Sequence, residues 1–355
     1  MDENIIHIVI AKTWGGGEQY VYDVCKEMKK RGLQTYVAVD KNNIEMQKKF
    51  SEVSKVIVSE LYSIAGLRSI SKLNSFIKKN NIKYINCHSG HALLLCLILK
   101  KLTGTKVIMF KHNALPAKDD IYHRWQRSYT DAYVCVSKLV YNLQTEILND
   151  VDKKKFHLIY NGIDTSRFNK YKSDIRQRDF YVVGYAGRIA ADKGIDILLE
   201  AFCNLANKYN NTKLLLAGAD EKGYLKTIEN LIKSKNISDK VCYLGKLDDM
   251  ERFYKSLNVL VLPSIVSEAF GLVICESIYC GTPVITTNSG AQKEIITNKK
   301  FGCVIEKNNI DEMFRALEYY KYDTNYFDKE AEEYIQNKFS IEKCVDGILT
   351  LYKNI

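Results

Sequence analysis

A regular alternation of short apolar segments with longer amphipathic ones runs through this chain in two series, and it constrains the fold more than any other feature. The short segments are rich in Val, Ile, Leu and Tyr, as buried strands are, and the longer ones repeat apolar residues at helical spacing. Strands that alternate with helices of about ten residues favour a parallel sheet with right-handed crossovers. We therefore expect an α/β chain with two such sheets.

The pattern places strands in the first series at residues 5–10, 35–39, 56–58, 84–87, 106–110, 132–137 and 156–160, and in the second at 181–186, 213–217, 241–244, 259–262, 284–286 and 302–304. Helices are expected at about 18–30, 44–50, 69–79, 91–101, 195–209, 224–235, 248–257 and 272–280, with closing helices from residue 311. The stretch from residue 165 to 179 is polar and has no period, which is typical of a linker. We expect a first domain at 1–165 and a second at 178–335, since 355 residues suit two domains.

The net charge of +10 is placed unevenly along the chain. Up to residue 170 there are 27 Lys and Arg against 16 Asp and Glu, and the remainder has 25 against 26. This basic first half is either a solubility device or a surface for anionic lipid, for a pyrophosphate-linked acceptor or for nucleic acid. Nucleic acid is the weakest reading because no recognition motif accompanies the charge, and we expect no nucleic-acid partner.

The chain lacks the sequence features of a membrane-spanning or exported protein. Its longest apolar run, residues 92–99, is too short to cross a bilayer, and no charged and then apolar leader opens the sequence. The ten cysteines are scattered without metal-binding spacing, so we expect most of them to be reduced core residues. These features predict a cytoplasmic protein.

The stretch at 264–276 is the strongest candidate for a site. It follows the apolar strand 259–262 and Pro263, and its polar loop opens an apolar helix. Ligands of open α/β sheets bind at the carboxyl ends of strands, and a helix start offers free N–H donors to an anion. The amides of Phe270, Gly271 and Leu272 are therefore expected to face a phosphate, which Gly271 allows to come close.

Two carboxylates, Glu268 and Glu276, bracket this helix start. In the simplest interpretation Glu268 favours the helix start electrostatically and Glu276 is a solvated surface residue. The apolar neighbours of Glu276 favour a different one, in which a buried carboxylate accepts hydrogen bonds from donors such as sugar hydroxyls.

Arg188 and Lys193 lie on one loop after the strand at 181–186, with glycines on either side. An arginine binds a diphosphate by paired hydrogen bonds and a lysine acts as a point charge, so the two are able to clamp a diphosphate together. The alternative is an ordinary basic loop before a helix.

In the first series, Gly16 and Gly17 lie between a strand and a helix start, where a ligand can approach the backbone, although a glycine triplet alone is as often a turn. His88 and His112 follow strands at their carboxyl ends, and His112 is the stronger site candidate of the two. The pair Asp150 and Asp152 matches a metal-binding D-x-D, but three lysines follow it and would oppose a divalent cation.

These motifs occur together in one order: Gly-Gly-Gly-Glu at 15–18, His-Asn at 112–113, Asn-Gly-Ile-Asp at 161–164, Gly-Arg-x4-Lys-Gly at 187–194, Glu-x7-Glu at 268–276 and Gly-Thr-Pro-Val-Ile at 281–285. Over nearly its full length the chain resembles the retaining glycosyltransferases of family 4, the glycosyl transferases group 1. The resemblance implies a GT-B fold, in which two Rossmann-like domains face each other across a cleft. It also implies that a C-terminal helix, about 338–355, packs back on the first domain.

The resemblance further implies a role for each matched residue. Arg188 and Lys193 would bind the diphosphate of a nucleotide-sugar donor, Glu276 the ribose, and Glu268 a hydroxyl of the donor sugar. Other donor contacts are implied for Gly16, Gly17, Leu244, Phe270, Gly271 and Leu272. His112 would lie at the reaction centre with Arg188, Lys193 and Glu268, and His88 and Asn113 would lie on the acceptor side.

The expected activity is a retaining, metal-independent sugar transfer from a nucleotide diphosphate sugar, with UDP favoured, to a glycan or lipid-linked acceptor in bacterial surface polysaccharide or glycoconjugate synthesis. Peripheral contact with an anionic membrane is expected from the charge asymmetry. Three alternatives stay open: a nucleotide-sugar 2-epimerase, a phosphorylase, and a non-catalytic partner or glycan-binding subunit of this fold. An epimerase would release a free sugar without an acceptor, and a phosphorylase would depend on added phosphate.

Overall fold

The chain forms two compact units, each built on one parallel sheet. The computed structural model describes residues 4–61, 68–171, 179–322 and 329–355. The first unit comprises residues 1–164 and 341–355, and the second comprises 165–340. Residues 165–168 of the expected linker form a 3₁₀ turn that belongs to the second unit, and residues 172–178 of that linker lie outside the described residues.

The first unit has a seven-stranded sheet of β1 (Asn4–Ile8), β2 (Thr35–Asp40), β3 (Lys55–Ser59), β4 (Ile82–Cys87), β5 (Lys106–Lys111), β6 (Ala132–Cys135) and β7 (Phe156–Leu158). The strand order is β3-β2-β1-β4-β5-β6-β7, and every neighbouring pair is parallel. Most residues of β1, β2, β4 and β5 are buried, as expected for strands covered on both faces by helices. The direction of the strand order reverses between β1 and β4.

The connections of this unit are the helices α1 (Gly16–Lys30), α2 (Ile44–Ser51), α3 (Ile70–Lys79), α4 (Leu93–Thr103), α5 (Ile121–Tyr129), α6 (Lys138–Thr145) and α7 (Asp150–Lys153). The first four agree with the expected helices to within about two residues at each end. The sequence pattern did not predict α5 and α6. Both have few apolar residues on the side that faces the unit, since α5 buries Gln126 and Arg127 and α6 buries Gln144 and Thr145.

The second unit has a six-stranded sheet of β8 (Tyr181–Ala186), β9 (Thr212–Ala217), β10 (Val241–Gly245), β11 (Val259–Leu262), β12 (Val284–Thr287) and β13 (Gly302–Ile305). Its order is β10-β9-β8-β11-β12-β13, again parallel throughout, and it reverses between β8 and β11. The helices are α8 (Ile195–Lys208), α9 (Leu225–Ser234), α10 (Met250–Ser256), α11 (Leu272–Tyr279), α12 (Ile310–Tyr322) and α13 (Lys329–Phe339). Its core lies between β8, β9, α8 and α12, around Tyr185, Phe202 and Leu317.

The chain returns to the first unit in its last helix, α14 (Ile341–Asn354). Tyr352 on α14 stacks on Tyr84 of β4 at a ring distance of 4.1 Å and accepts a hydrogen bond from Asn86 at 2.6 Å. Arg31, just after α1, pairs with Asp346 at 2.6 Å. The last helix is therefore part of the first unit's packing.

No described helix combines the length and the apolar character that crossing a bilayer would require.

Candidate active site

In each unit most of the candidate residues follow the two strands at which the strand order reverses, whereas His112 and Asn113 follow β5 and Leu244 lies on β10. In the second unit Arg188 and Lys193 follow β8, and Ser264 and Glu268 follow β11. In the first unit the glycine loop follows β1 and His88 follows β4. A crevice opens at the carboxyl edge of a parallel sheet at such a reversal, because the two connections leave in opposite directions.

Lys193 and Glu268 form an ion pair in the second unit. Lys193 Nζ lies 2.6 Å from Glu268 Oε1, and the hydroxyl of Ser264 donates to the same oxygen at 2.5 Å. The side chains of Lys193 and Glu268 are only 13% and 19% exposed, so the pair is largely removed from water. A charge pair of this kind is held more strongly than a surface one because solvent screens it less.

Gly194 fixes the loop that carries Lys193 against the loop that carries Glu268. Its φ of +65° is in the left-handed region, and a Cβ atom there would lie 2.2 Å from the carbonyl oxygen of Pro263. The Ile265 N–H also donates to the Asp192 carbonyl at 3.2 Å. Glycine is therefore required by both conformation and space, and it sets the position of the Lys193 side chain.

Helix α11 begins beside this pair. Gly271 is its N-cap, with φ of +109°, and Leu272 is its first residue. Phe270 is buried against Phe339 with 5.6 Å between the ring centroids, which anchors the entry to the helix. The first N–H groups of a helix have no partners within the helix, so the positive end of α11 lies close in sequence to Glu268.

Arg188 is more exposed than Lys193 and lies among carboxylates. Its guanidinium forms ion pairs with Glu221 and, at 3.3 Å, with Asp192. Tyr185 of β8 helps to hold the loop that carries Arg188, since its hydroxyl donates to the Arg188 carbonyl at 2.7 Å. Burial, followed by the negative charge of Glu268, raises the pKa of Tyr185 well above its usual value, so this hydroxyl stays protonated.

Glu276 is a buried carboxylate on α11, as its apolar neighbours predict. Its Oε2 accepts a hydrogen bond from the Tyr254 hydroxyl at 2.7 Å, and its Oε1 lies 3.5 Å from Arg167. Burial, then the charge of Glu276, raises the pKa of Tyr254 well above normal. The donors that a buried carboxylate needs are thus already supplied in part by the protein, and a ribose would add to them or replace them.

A hydrogen-bonded chain of three histidines lies across the first unit's reversal of strand order, between β1 and β4. His7 Nδ1 lies 2.9 Å from His88 Nε2, and His88 Nδ1 lies 2.9 Å from His112 Nε2. The rings stack at centroid distances of 5.2 and 5.3 Å, and Tyr20 packs edge-on against His88 and His112. His7 is fully buried and hydrogen-bonded to His88.

The three imidazoles are held neutral by their surroundings. Burial lowers the pKa of His7 to about 3 and that of His112 to about 4, and burial with its two neighbours lowers the pKa of His88 well below normal. His7 Nε2 is buried without a hydrogen-bond partner among the described residues. A buried N–H without a partner is rare in folded proteins, so we assign His7 Nε2 as unprotonated. His7 then donates from Nδ1 to His88, and His88 donates from Nδ1 to His112. His112 Nδ1 then carries a proton.

The other residues expected at the site have simpler surroundings. Gly16 and Gly17 are the first residues of α1, and the Gly15 N–H donates to Glu18 Oε2 at 2.9 Å. Burial raises the pKa of Glu18. Asn113 is exposed directly after His112, and Leu244 of β10 is 37% exposed. Asp150 and Asp152 belong to α7, where Asp152 lies 3.5 Å from Arg127.

Four supporting residues were not predicted from the sequence: Ser264, Arg167, Tyr254 and Tyr185. Ser264 had a local signal, since it directly follows Pro263 in the stretch that the sequence already singled out. Arg167 and Tyr254 contact Glu276 from positions distant in sequence, and Tyr185 lies on a strand whose sequence predicts only a core element. Their hydroxyl or guanidinium groups could not be placed from periodicity.

Two protein-family models match the chain. The model described as Glycosyl transferases group 1 matches residues 167–340, and the model described as Glycosyltransferase Family 4 matches residues 14–167. Together they cover both units and all the candidate site residues in the second.

Known proteins similar to this chain cover between 81% and 99% of it. An uncharacterized glycosyltransferase of Methanocaldococcus jannaschii is 28% identical, over 96% of this chain and 95% of its own. The UDP-Gal:alpha-D-GlcNAc-diphosphoundecaprenol alpha-1,3-galactosyltransferase of Escherichia coli is 26% identical, over 81% of this chain and 80% of its own. The structure of Anabaena HepE in complex with UDP-glucose superposes with a TM-score of 0.83 at 19% identity, covering 99% of this chain and all of that one.

Proposed function

Because the chain belongs to glycosyltransferase family 4, the glycosyl transferases group 1, and has their GT-B fold, we propose that it transfers a sugar from a UDP-sugar to a lipid-linked glycan acceptor with retention of anomeric configuration. That it is a glycosyltransferase acting in glycoconjugate synthesis follows from the family models and from the named relatives. The donor, the stereochemistry and the roles of single residues are the proposal.

One observation carries this proposal, the Lys193–Glu268 pair beside the start of α11. When a glycosyl diphosphate bond breaks, negative charge grows on the departing phosphate and positive charge on the sugar ring. Lys193, Arg188 and the helix start would stabilise the first charge, and the Glu268 carboxylate would face the second. Lys193 would shift from Glu268 toward the diphosphate when the donor binds, which leaves Glu268 to accept from a sugar hydroxyl.

The surroundings of Glu268 support retention without a covalent intermediate on it. With the donor bound, its carboxylate would accept from Ser264 and from a sugar hydroxyl, and a carboxylate occupied in this way is a weak nucleophile. A donor phosphate oxygen would then take the proton of the acceptor hydroxyl on the face from which it attacks. The proton on His112 Nδ1 would be available to a sugar hydroxyl of a bound substrate.

A divalent metal is not needed in this scheme. The positive charge that Mg²⁺ or Mn²⁺ supplies to diphosphates elsewhere would come from Arg188, Lys193 and the helix N–H groups. We infer that the enzyme works without a metal cofactor.

UDP as the nucleotide and a lipid-linked acceptor are supported by the proteins that this chain resembles. HepE was solved with UDP-glucose, and the name of the Escherichia coli relative gives UDP-galactose as donor and a diphosphoundecaprenol-linked sugar as acceptor. The basic first unit suits an acceptor that carries a diphosphate in an anionic membrane.

The test is release of UDP from UDP-glucose, UDP-galactose and UDP-N-acetylglucosamine in the presence of a diphosphoundecaprenol-linked sugar. We expect Lys193→Ala to lower turnover about 100-fold or more, the scale of losing one donor to a transition state. The matched control is Lys226→Ala, which removes an exposed lysine from α9 of the same unit.

Near-normal turnover of the Lys193 variant would contradict its role. The same assay repeated in EDTA is expected to show unchanged activity, and a loss restored by Mn²⁺ would overturn the metal-free scheme. Turnover with GDP-sugars alone would reject UDP while leaving the transferase assignment in place.

A further inference from the structure

Helix α5 of the first unit presents its apolar side chains to solvent and buries two polar ones. Ile121 is 80% exposed, Tyr122 48%, Trp125 40% and Tyr129 55%, whereas Gln126 and Arg127 are buried. The four exposed residues are spaced at i, i+1, i+4 and i+8, so they share one face of the helix. We call these four residues the α5 face.

Polar contacts hold the helix in this orientation. The buried guanidinium of Arg127 pairs with Asp119 and donates to the Lys118 carbonyl at 2.7 Å. At the other end Lys155 Nζ lies within 3.0 Å of three carbonyl oxygens, those of residues 127, 128 and 130. If the α5 face were turned inward, these polar groups would be exposed to solvent or buried without hydrogen-bond partners. Their contacts therefore fix the outward orientation of the α5 face.

The rings of the α5 face form one exposed cluster. Tyr122 stacks on Trp125 at 6.0 Å, and Trp125 contacts Tyr129 at 5.5 Å between ring centroids. Single exposed apolar residues are ordinary, but a contiguous cluster on a helix that buries its polar side points to a partner. Tyr and Trp suit a surface that is apolar on one side and wet on the other.

The net positive charge of the first unit favours an anionic partner for the cluster. The first unit contains 27 Lys and Arg against 18 Asp and Glu, so it holds nearly all of the chain's excess positive charge. Lys118 and Arg124 are exposed on and beside α5, while Asp119 pairs with Arg127 and Asp120 caps the helix. A second copy of so basic a unit would be repelled, whereas an anionic bilayer would be attracted.

We propose that the α5 face docks on the surface of an anionic lipid bilayer, with α5 parallel to the membrane and its aromatic rings among the headgroups. This inference rests on the proposed function, since it supplies the means by which the enzyme reaches a lipid-linked acceptor. It assigns the docking to one helix rather than to the general charge of the protein.

Trp125 reports the docking directly, because the chain has only one other tryptophan, Trp14. In a Trp14→Phe background we expect the emission of Trp125 to shift to the blue with vesicles of phosphatidylglycerol and phosphatidylethanolamine, and brominated acyl chains to quench it. Vesicles of phosphatidylcholine alone are expected to give neither effect. Ordinary flotation with the same vesicles measures the bound fraction.

The double variant Tyr122→Ser, Trp125→Ser is expected to lower vesicle binding tenfold or more. Its matched control is Ile44→Ser, Tyr319→Ser, which removes two apolar residues that are more exposed and lie on other surfaces, and it should bind as the unchanged protein does. Equal binding by both double variants, or no binding at low salt, would overturn the proposal. So would a concentration-dependent dimer without vesicles that the Tyr122 and Trp125 changes abolish.

Binding of UDP, measured in parallel by calorimetry, separates this inference from the proposed function. Lost vesicle binding with intact UDP binding in the α5 variant supports the docking role. Vesicle binding by a chain that never binds UDP would reject the proposed donor and leave the α5 face standing.

Discussion

At the scale of single residues, the charged groups of the candidate site in the second unit pair with one another. Lys193 pairs with Glu268, Arg188 with Glu221, and Glu276 with Arg167. Each of these pairs joins residues far apart in the chain, so the sequence indicated the members and not their partners. The sequence did indicate the surroundings of single residues. An apolar run around Glu276 predicts a buried carboxylate, and glycines on either side of Arg188 and Lys193 predict a loop that holds two cations.

The histidine chain makes stability depend on pH. The folded pKa values, about 3 for His7 and about 4 for His112, lie below the ordinary value of about 6.5 for an unfolded chain. Between these values the unfolded chain binds more protons, so the free energy of unfolding rises with pH. The stabilisation from neutral histidines is complete above about pH 6.5 and is lost as pH falls toward 4.

We therefore expect the free energy of unfolding of the first unit to fall between pH 7 and pH 4.5 less steeply in His7→Gln than in the unchanged protein. Over that range one such histidine contributes about 2 to 3 kcal/mol. Urea unfolding at several pH values measures the slope, and His91→Gln, an exposed histidine of the same unit, is the control. Parallel curves for all three proteins would show that His7 titrates normally.

At the scale of elements, the loops at the carboxyl edge are positioned by close backbone contacts. Gly194 is the clearest case, because its left-handed conformation and its distance from Pro263 both exclude a side chain. Gly223 of the same unit also has a positive φ, of +75°, but a Cβ atom there would meet nothing within 4 Å. The two glycines therefore separate the effect of conformation from that of contact.

Gly223→Ala is expected to destabilise the second unit by about 1 to 2 kcal/mol through backbone strain alone. Gly194→Ala should cost clearly more than that and should also weaken UDP binding, because the Lys193 loop must move away from Pro263. Denaturant unfolding and calorimetric titration with UDP measure the two effects. Equal losses of stability in the two variants, with unchanged UDP affinity, would show that the contact is unimportant.

Most of the elements could be predicted from the sequence, and the exceptions have a physical reason. Strand β11 is apolar along its whole length and β2 is apolar between its two end residues, and helices such as α8 carry a continuous buried stripe. Helix α5 has its apolar stripe on the outside, so an apolar period alone gives no indication of how the helix meets the core. The short α6 buries too few apolar residues to show a period.

At the scale of the whole molecule, the family assignment made from the order of the motifs is confirmed by the two family models and the fold by structural similarity. Motif order is informative over the full length because each motif follows or leads into a particular strand of one of the two sheets. The packing of the last helix could be stated only through the family resemblance, since periodicity predicts that a helix is amphipathic and not which surface covers it.

The contacts of α14 predict which unit depends on it. Tyr352 is buried against Tyr84 and Asn86, and replacing a large buried aromatic residue by alanine costs about 3 to 5 kcal/mol. We expect Tyr352→Ala to lower the unfolding temperature of the first unit and to leave that of the second unchanged in scanning calorimetry. The exposed Tyr319→Ala is the control. A shift of the second unit's transition by the same amount would contradict this division.

Because the last helix belongs to the first unit, that unit cannot complete its packing until the whole chain has been synthesised. When a ribosome has made residues 1–164, the helix that covers Tyr84 and Asn86 does not yet exist, and all of residues 165–340 must be synthesised before it does. At about 5 to 20 residues per second this is a delay of roughly 10 to 35 s. During that interval the nascent first unit exposes the apolar surface reserved for its last helix, and a chaperone could bind it there.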